Sequence, residues 1–262
     1  MVIEYYCEVF ALNTVAAILA GGGGTRFWPV SRHYKPKQFI NISGNDVMIN
    51  DTIRRYEDLI PIENTIIVTN YAQADLLGDV ILEGIPRENI LKEPVGRNTA
   101  ACILYAAMVI QKKYGESLMV ALPSDHYISN LTGFRDTLST ACKAAESTDK
   151  LVTIGIKPSF PSTGYGYINI LKDSLNVLDL VYKVNAFIEK PAFEKAREYV
   201  DSGDYFWNSG MFVWKVSVIL ENYNRFLPRL YKRFLEIYEY LGTDKEEEYI
   251  SKIYPTLPST SI

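Results

Sequence analysis

The chain has 262 residues, 48% hydrophobic and 22% charged, with a formal net charge of −4. That suits one large α/β domain, or one domain with a small appendage, around a sizeable core. The acidic balance argues against nucleic acid or an anionic membrane as the main partner, and no apolar run approaches the ~20 residues of a membrane span.

Residues 1–13, "MVIEYYCEVFALN", carry acids and no basic leader, so they are expected to be an N-terminal extension rather than a signal peptide. "TVAAILAG" (Thr14–Gly21) is a short apolar run ending in glycine, a buried parallel strand entering a loop. "NTIIVTN" (Asn64–Asn70) is a second such strand, and "YAQADLL" after it is helical. "NTAACILYAAMVIQKKYG" (Asn98–Gly115) predicts a long helix capped by Asn98 or Thr99, with Lys112 and Lys113 in its last turn and Gly115 ending it. "SLMVALPSDH" (Ser117–His126) is a buried strand running into a polar turn. "GFRDTLSTACKAAES" is a helix and "KLVTIGI" a strand. This alternation over the first 156 residues implies a parallel sheet with helices on both faces. "TGYGYINIL", "LDLVYKVNAFIEKP" and "YFWNSGMFVWKV" are then strand-like and aromatic, a mixed second half expected to cover one end of the sheet. "AFEKAREYVDSG" is a short helix between two of them, and residues 217–253 are helical. The fold class is therefore α/β, a Rossmann-like three-layer sandwich with a mixed, mainly parallel central sheet.

Two histidines, His33 and His126, exclude a histidine-rich metal site. Cys7, Cys102 and Cys142 are far apart and odd in number, with no CxxC; Cys102 and Cys142 lie in apolar helical patterns and read as core residues of a reduced, cytoplasmic protein.

"LAGGGGTRFWPVSRHYKPKQF" (Leu19–Phe39) sets four glycines ahead of Arg26, Arg32, Lys35 and Lys37 with no acid between them. A dinucleotide fingerprint and a phosphate-cradling P-loop would each need glycine where Arg26 stands. What remains is a strand, a glycine turn and a cationic run. Glycines let backbone N–H groups approach a phosphate or base, and arginine adds a planar fork for phosphate oxygens. Asp125 ends a buried strand, where parallel sheets place their ligand sites. It also suits the cap of a turn.

These residues resemble the signature of the sugar-1-phosphate nucleotidylyltransferases, L-x-G-G-x-G-T-R-L-x-P…P-K, and the W-P-x-S-R and P-K-Q variants resemble its mannose-1-phosphate guanylyltransferase branch. "EPVGRNTAACI" (Glu93–Ile103), "LPSDH" (Leu122–His126), "TGYGYI" (Thr163–Ile168), "FIEKP" (Phe187–Pro191) and "WNSGMF" (Trp207–Phe212) follow in the family's order. The resemblance implies that residues 14–262 form a nucleotidyltransferase domain of the nucleotide-diphospho-sugar transferase type. It implies GTP and mannose 1-phosphate as partners, in-line attack of the sugar phosphate on the α-phosphorus, and no covalent enzyme intermediate.

The same resemblance implies roles. Leu19, Ala20, Gly21, Gly22, Gly24 and Thr25 would wrap the nucleotide, Arg26 would bind the leaving phosphates and Lys37 the triphosphate. Asp125 matches the family's Mg²⁺ aspartate, with His126 a neighbouring structural group. "EPVGRNTA" would surround guanine: Glu93 can accept from N1–H and the 2-amino group, while Arg97, Asn98, Thr99 or backbone N–H groups contact the nucleotide. Asn98 serves equally as a helix cap. Glu189 would bind sugar hydroxyls and Lys190 the sugar phosphate. Gly164, Tyr165, Gly166, Asn208 and Ser209 would complete the sugar site. Trp207, Phe212 and Trp214 read as core.

The chain ends "TLPSTSI", where the family places a metal-binding aspartate next, so the domain is expected to be C-terminally incomplete relative to the family. Two alternatives stay open: a nucleotidylyltransferase for another NTP or sugar, and a nucleotide-binding protein with impaired catalysis. The oligomeric state, a homodimer included, is also open.

Overall fold

The structure, a computed structural model, describes residues 10–22, 31–32, 36–42, 46–172 and 180–262. Cys7, Gly24, Thr25 and Arg26 lie outside the described residues.

Four strands make the parallel half of one sheet: β1 (Asn13–Leu19), β2 (Thr65–Asn70), β3 (Ile90–Glu93) and β4 (Ser117–Pro123). β1 lies between β2 and β4, and β3 flanks β2. Along β1, Val15 and Ala17 enter one core and Ala16 and Ile18 the other. A strand's side chains alternate between faces, so a sheet covered on both sides selects an unbroken apolar run.

Helices α1 (Met48–Arg54), α2 (Tyr71–Val80), α3 (Asn98–Tyr114) and α4 (Leu131–Ser147) are interleaved with these strands. Ile49 and Ile53 of α1, Leu77 of α2 and Phe134 and Leu138 of α4 fill the core with Ile18. On the other face, α3 packs with three later helices, α6 (Val216–Phe226), α7 (Pro228–Tyr238) and α8 (Glu246–Ile253). Between these groups come β5 (Val152–Ile156), β6 (Tyr167–Leu171), β7 (Lys183–Ile188), α5 (Phe193–Ser202) and β8 (Tyr205–Lys215). The result is the expected three-layer α/β sandwich with a mixed sheet. Among the described residues the strand order is β3-β2-β1-β4-β8-β6-β7, with β5 also on β8.

Three local expectations are corrected. β5 does not extend the parallel set but runs antiparallel to β8. The second half does not cover the sheet; it continues it, because β8 pairs antiparallel with β4, and β6 with β8 and β7. β8 is eleven residues long. Its end at Phe212–Lys215 lines β4, and its start at Tyr205–Trp207 carries β6 past the C-terminal edge of the parallel strands. Third, α3 has no side-chain cap of the ordinary kind. Asn98 stands at φ 64°, a left-handed conformation that Asn tolerates, and its Oδ1 accepts only from the adjacent Thr99 N–H at 2.8 Å. The N–H of Ala100 instead donates to the carbonyl of Thr260, at 3.1 Å.

α1 and β3 carry no clear signal in the sequence. Each is too short, at seven and four residues, for a periodic pattern to stand out.

Candidate active site

The C-terminal ends of β1, β2, β3 and β4 lie along one edge because the strands are parallel. Ligands of open α/β sheets bind outside this edge. At the end of β1, polar side chains hold the carbonyls of the glycine loop. Gln38 Nε2 donates to the carbonyls of Ala20 (2.9 Å) and Gly22 (3.3 Å) and to Gln73 Oε1 (2.8 Å). Thr69 donates to Ala20 and Asn70 to Gly21, each at 3.2 Å. Asn70 also caps α2, accepting from Gln73 N–H at 3.0 Å. Sequence reasoning gave no role to Gln38 or Gln73, although Gln38 stands inside the P-K-Q run and both are buried. Ala20 and Gly21 therefore leave the sheet in a fixed conformation rather than as a loose loop.

Glu93 ends β3 and is only 4% exposed. Gly21 approaches it so closely that a side chain there would strike Oε2. Tyr254 donates its hydroxyl to Oε1. Burial pushes the Glu93 carboxyl up to about 7, and the Tyr254 hydrogen bond pulls against that shift. Glu93 thus sits where a small change in its surroundings decides its charge. The half-buried Arg97 donates through Nη2 to the carbonyl of Pro255. Thr99 Oγ1 accepts from Ile262 N–H at 3.1 Å. The predicted nucleotide residues Glu93, Arg97 and Thr99 are thus all tied to the C-terminal segment, and Asn98 bonds within its own turn.

Lys37 and Asp125 are brought together as an ion pair, each about one-fifth exposed. Asp125 follows β4, and Ser124 beside it is anchored twice on the Leu19 carbonyl, by its N–H (3.3 Å) and its Oγ (3.0 Å). On the other side, the carbonyl of His126 accepts from Nη2 of the buried Arg55 at 2.5 Å. Burial first, then the cations Arg55 and Lys37, lower the His126 pKa, so its imidazole is held neutral. That suits a structural neighbour of Asp125. Among the described residues no group of three His, Cys, Asp or Glu gathers as a metal cluster. At the end of β4, Asp125 offers a carboxylate that could hold a hard cation beside Lys37.

The predicted sugar residues meet at the start of β6. The Asn208 N–H donates to the Gly166 carbonyl at 2.8 Å. A Cβ on Gly166 would lie 3.1 Å from Glu189 Oε2. Glu189 pairs with Lys190 at 2.6 Å, and both are well exposed. Lys190 stands at φ 41°, a strained conformation for a lysine. Tyr165 packs on Trp207 with ring centres 4.9 Å apart, and Phe160 packs on the same indole at 5.0 Å. Gly164 N–H is bonded to Ser162 Oγ at 3.2 Å. Ser209 points elsewhere: it is buried, and its hydroxyl donates to the Ile154 carbonyl at 2.5 Å. Its hydroxyl is occupied with joining β8 to β5. Two surface recesses, of about 620 and 570 Å³, lie around Asp149, Glu221 and Arg225 and around Arg233, Tyr240 and Tyr249. Neither is lined by the residues above, so the candidate site rests on the sheet edge.

Residues 15–250 match the family model described as Nucleotidyl transferase. A mannose-1-phosphate guanylyltransferase of Sinorhizobium fredii is 38% identical over 220 residues, 82% of this chain and 41% of that protein. A crystal structure from Thermus thermophilus, described as a mannose-1-phosphate geranyltransferase, has 32% identity and a TM-score of 0.81, covering 96% of this chain and 70% of that one. Another, described as mannose-6-phosphate isomerase from Helicobacter pylori, has 29% identity and a TM-score of 0.74, covering 96% and 91%. The chain spans less than half the length of the curated relatives it matches, 46% and 41% of the first two.

Proposed function

We propose that this chain, which belongs to the nucleotidyl transferase family, transfers GMP from GTP to mannose 1-phosphate and releases pyrophosphate. The observation that carries the reading is the row of groups along one sheet edge. A buried acceptor at Glu93, the Lys37–Asp125 pair and the Glu189–Lys190 pair beside Gly166 match the three parts of such a reaction: base, phosphates and sugar phosphate. Relatives named for this activity support the choice of substrates.

A phosphate oxygen of mannose 1-phosphate attacks the α-phosphorus of GTP in line. A new P–O bond forms as the bond to the bridging α,β-oxygen breaks, and the electron pair leaves with pyrophosphate. Little covalent work falls to the protein, so its contribution is positioning and charge stabilisation. Glu93 accepts from the N–H edge of guanine. Lys37 exchanges Asp125 for triphosphate oxygens, and Arg26 takes the leaving phosphates. Lys190 holds the sugar phosphate, with Glu189 accepting from the hydroxyls over the open backbone of Gly166. Asp125 would hold Mg²⁺, which typically takes one or two carboxylates and completes its shell with phosphate oxygens and water. Bound there, the ion would neutralise phosphate charge. Residues 14–262 act as the nucleotidyltransferase domain. The protein works in the cytoplasm, in keeping with the free, buried thiols of Cys102 and Cys142.

The test is pyrophosphate release from GTP, ATP, dTTP and CTP with mannose 1-phosphate as acceptor. Release with GTP in clear excess over the others is expected; equal release with dTTP would defeat the guanosine assignment. A parallel assay for nucleotide-free aldose–ketose interconversion of mannose 6-phosphate addresses the isomerase likeness, and no conversion is expected.

A further inference from the structure

We infer that Tyr254 is a positioning residue for base selection: its hydroxyl fixes the Glu93 carboxylate so that the second oxygen, beside Gly21, accepts from the N–H edge of guanine. This rests on the guanosine reading above and deepens it. Tyr254 is fully buried, between Tyr105 (ring centres 6.0 Å) and Phe234 (5.8 Å). Packing therefore fixes the direction of the phenol before any ligand arrives. The hydroxyl meets Oε1, and Oε2 lies against Gly21 at the mouth of the glycine loop. Holding one carboxylate oxygen restricts how the group can turn, and Oε2 keeps the lone pairs that a base needs.

The surroundings explain why such a hold is needed. The titratable groups facing Glu93 are Tyr254, Tyr105 and Cys102, whose own pKa values are all pushed up chiefly by burial. Tyr105 donates in turn to Glu246. No cation among these groups favours the charged carboxylate. The Tyr254 hydrogen bond opposes burial and keeps Glu93 available as an acceptor near neutral pH. The neighbouring contacts run the same way: Pro255 holds Arg97, Thr260 holds Ala100 and Ile262 holds Thr99. The segment from Tyr254 to Ile262 thus buttresses the proposed base-reading turn.

Tyr254→Phe keeps the ring and its packing and removes only the hydroxyl. Calorimetry with GTP, ITP (which lacks the 2-amino group) and ATP, over pH 5–9 (roughly two units either side of the carboxyl's midpoint), reads the effect. In Tyr254→Phe the GTP affinity should fall roughly tenfold, the GTP-over-ITP preference should shrink, and the acid limb of GTP binding should move to higher pH. In a Glu93→Gln background the same change should add little, because its route is gone. Should the wild-type chain bind ATP as well as GTP, the guanosine reading fails and this inference with it. Should it prefer GTP while Tyr254→Phe keeps the full GTP/ITP ratio and the same pH midpoint, this inference alone is wrong.

Discussion

A Cβ built on Gly21 would stand 2.7 Å from Oε2 of Glu93, closer than such atoms come in proteins. The end of β1 and the end of β3 are therefore in contact through an absent side chain. The glycine there serves proximity to a carboxyl as well as the turn.

Gly21→Ala should force Glu93 off its position. Stability should drop by about 1–3 kcal/mol, the usual range for overpacking. The KM for GTP should rise at least tenfold, while that for mannose 1-phosphate stays within about twofold, because the acceptor and not the sugar site is displaced. Steady-state kinetics with each substrate varied separately checks this. An unchanged KM for GTP would mean that Glu93 does not read the base.

Lys37→Ala leaves Asp125 without this cation and the triphosphate without a holding charge. Turnover should fall by about 10²–10³, the range for removing one preorganised charged group. Asp125→Asn should act differently. Phosphate then no longer competes with a carboxylate for Lys37, so GTP binding without added Mg²⁺ should hold or tighten, while turnover and its Mg²⁺ response are lost. Calorimetry with and without Mg²⁺ separates the two variants.

The exposed Glu189–Lys190 pair should contribute at most about 1 kcal/mol to stability. Lys190 also bears an unfavourable left-handed φ of 41°. Lys190→Gly should therefore fold as stably as the parent, or slightly more so, since glycine adopts that conformation without strain. Its KM for mannose 1-phosphate should nevertheless rise sharply. Denaturation midpoints and substrate kinetics on one preparation test both halves, and an unchanged KM would remove Lys190 from the sugar-phosphate site.

Glu93 gives a pH signature with a definite sign. Burial raises its pKa from 4.5 to about 7. Between these values the folded chain binds more protons at this group than the unfolded chain does, so its contribution to stability falls as pH rises. The stabilisation is fully present below about 4.5 and gone above about 7. Glu93→Gln has no charge to bury. It should match the parent near pH 4.5 and be more stable by about 1–3 kcal/mol at pH 8. Taking the mutant-minus-parent difference at each pH cancels the other titrating groups. A difference that stays flat across this range would show Glu93 to be ordinary in its ionisation.

The parallel strands and long helices were legible because each carries its pattern locally. "TVAAILAG" is apolar throughout because both its faces are covered, and α3 ends at Gly115 as expected. The partner of β5 was not legible, since strand pairing depends on residues far along the chain and "KLVTIGI" reads the same beside either neighbour. Lys37, Asp125, Glu93, Gly166 and Lys190 came from the resemblance of their motifs to a known family, and the fold sets them along one sheet edge. Tyr254, Gln38 and Gln73 were out of reach for a physical reason. They act on backbone carbonyls and on another side chain, and such contacts impose no local spacing. Ser209 lies inside a matching motif, yet its hydroxyl bonds Ile154, because neighbouring positions of a strand face opposite ways.

β8 has a consequence for how the protein is made. β4 pairs with β1 on one side, and among the described residues its other edge is closed by Phe212–Lys215, synthesised long after it. A nascent chain halted before β8 would present Leu118–Ala121 as an unpaired, strongly apolar edge, able to recruit strands from neighbouring chains. Truncations ending before Tyr205 should therefore precipitate or need a chaperone, and the late arrival of one strand makes the ribosome's pace part of this protein's solubility.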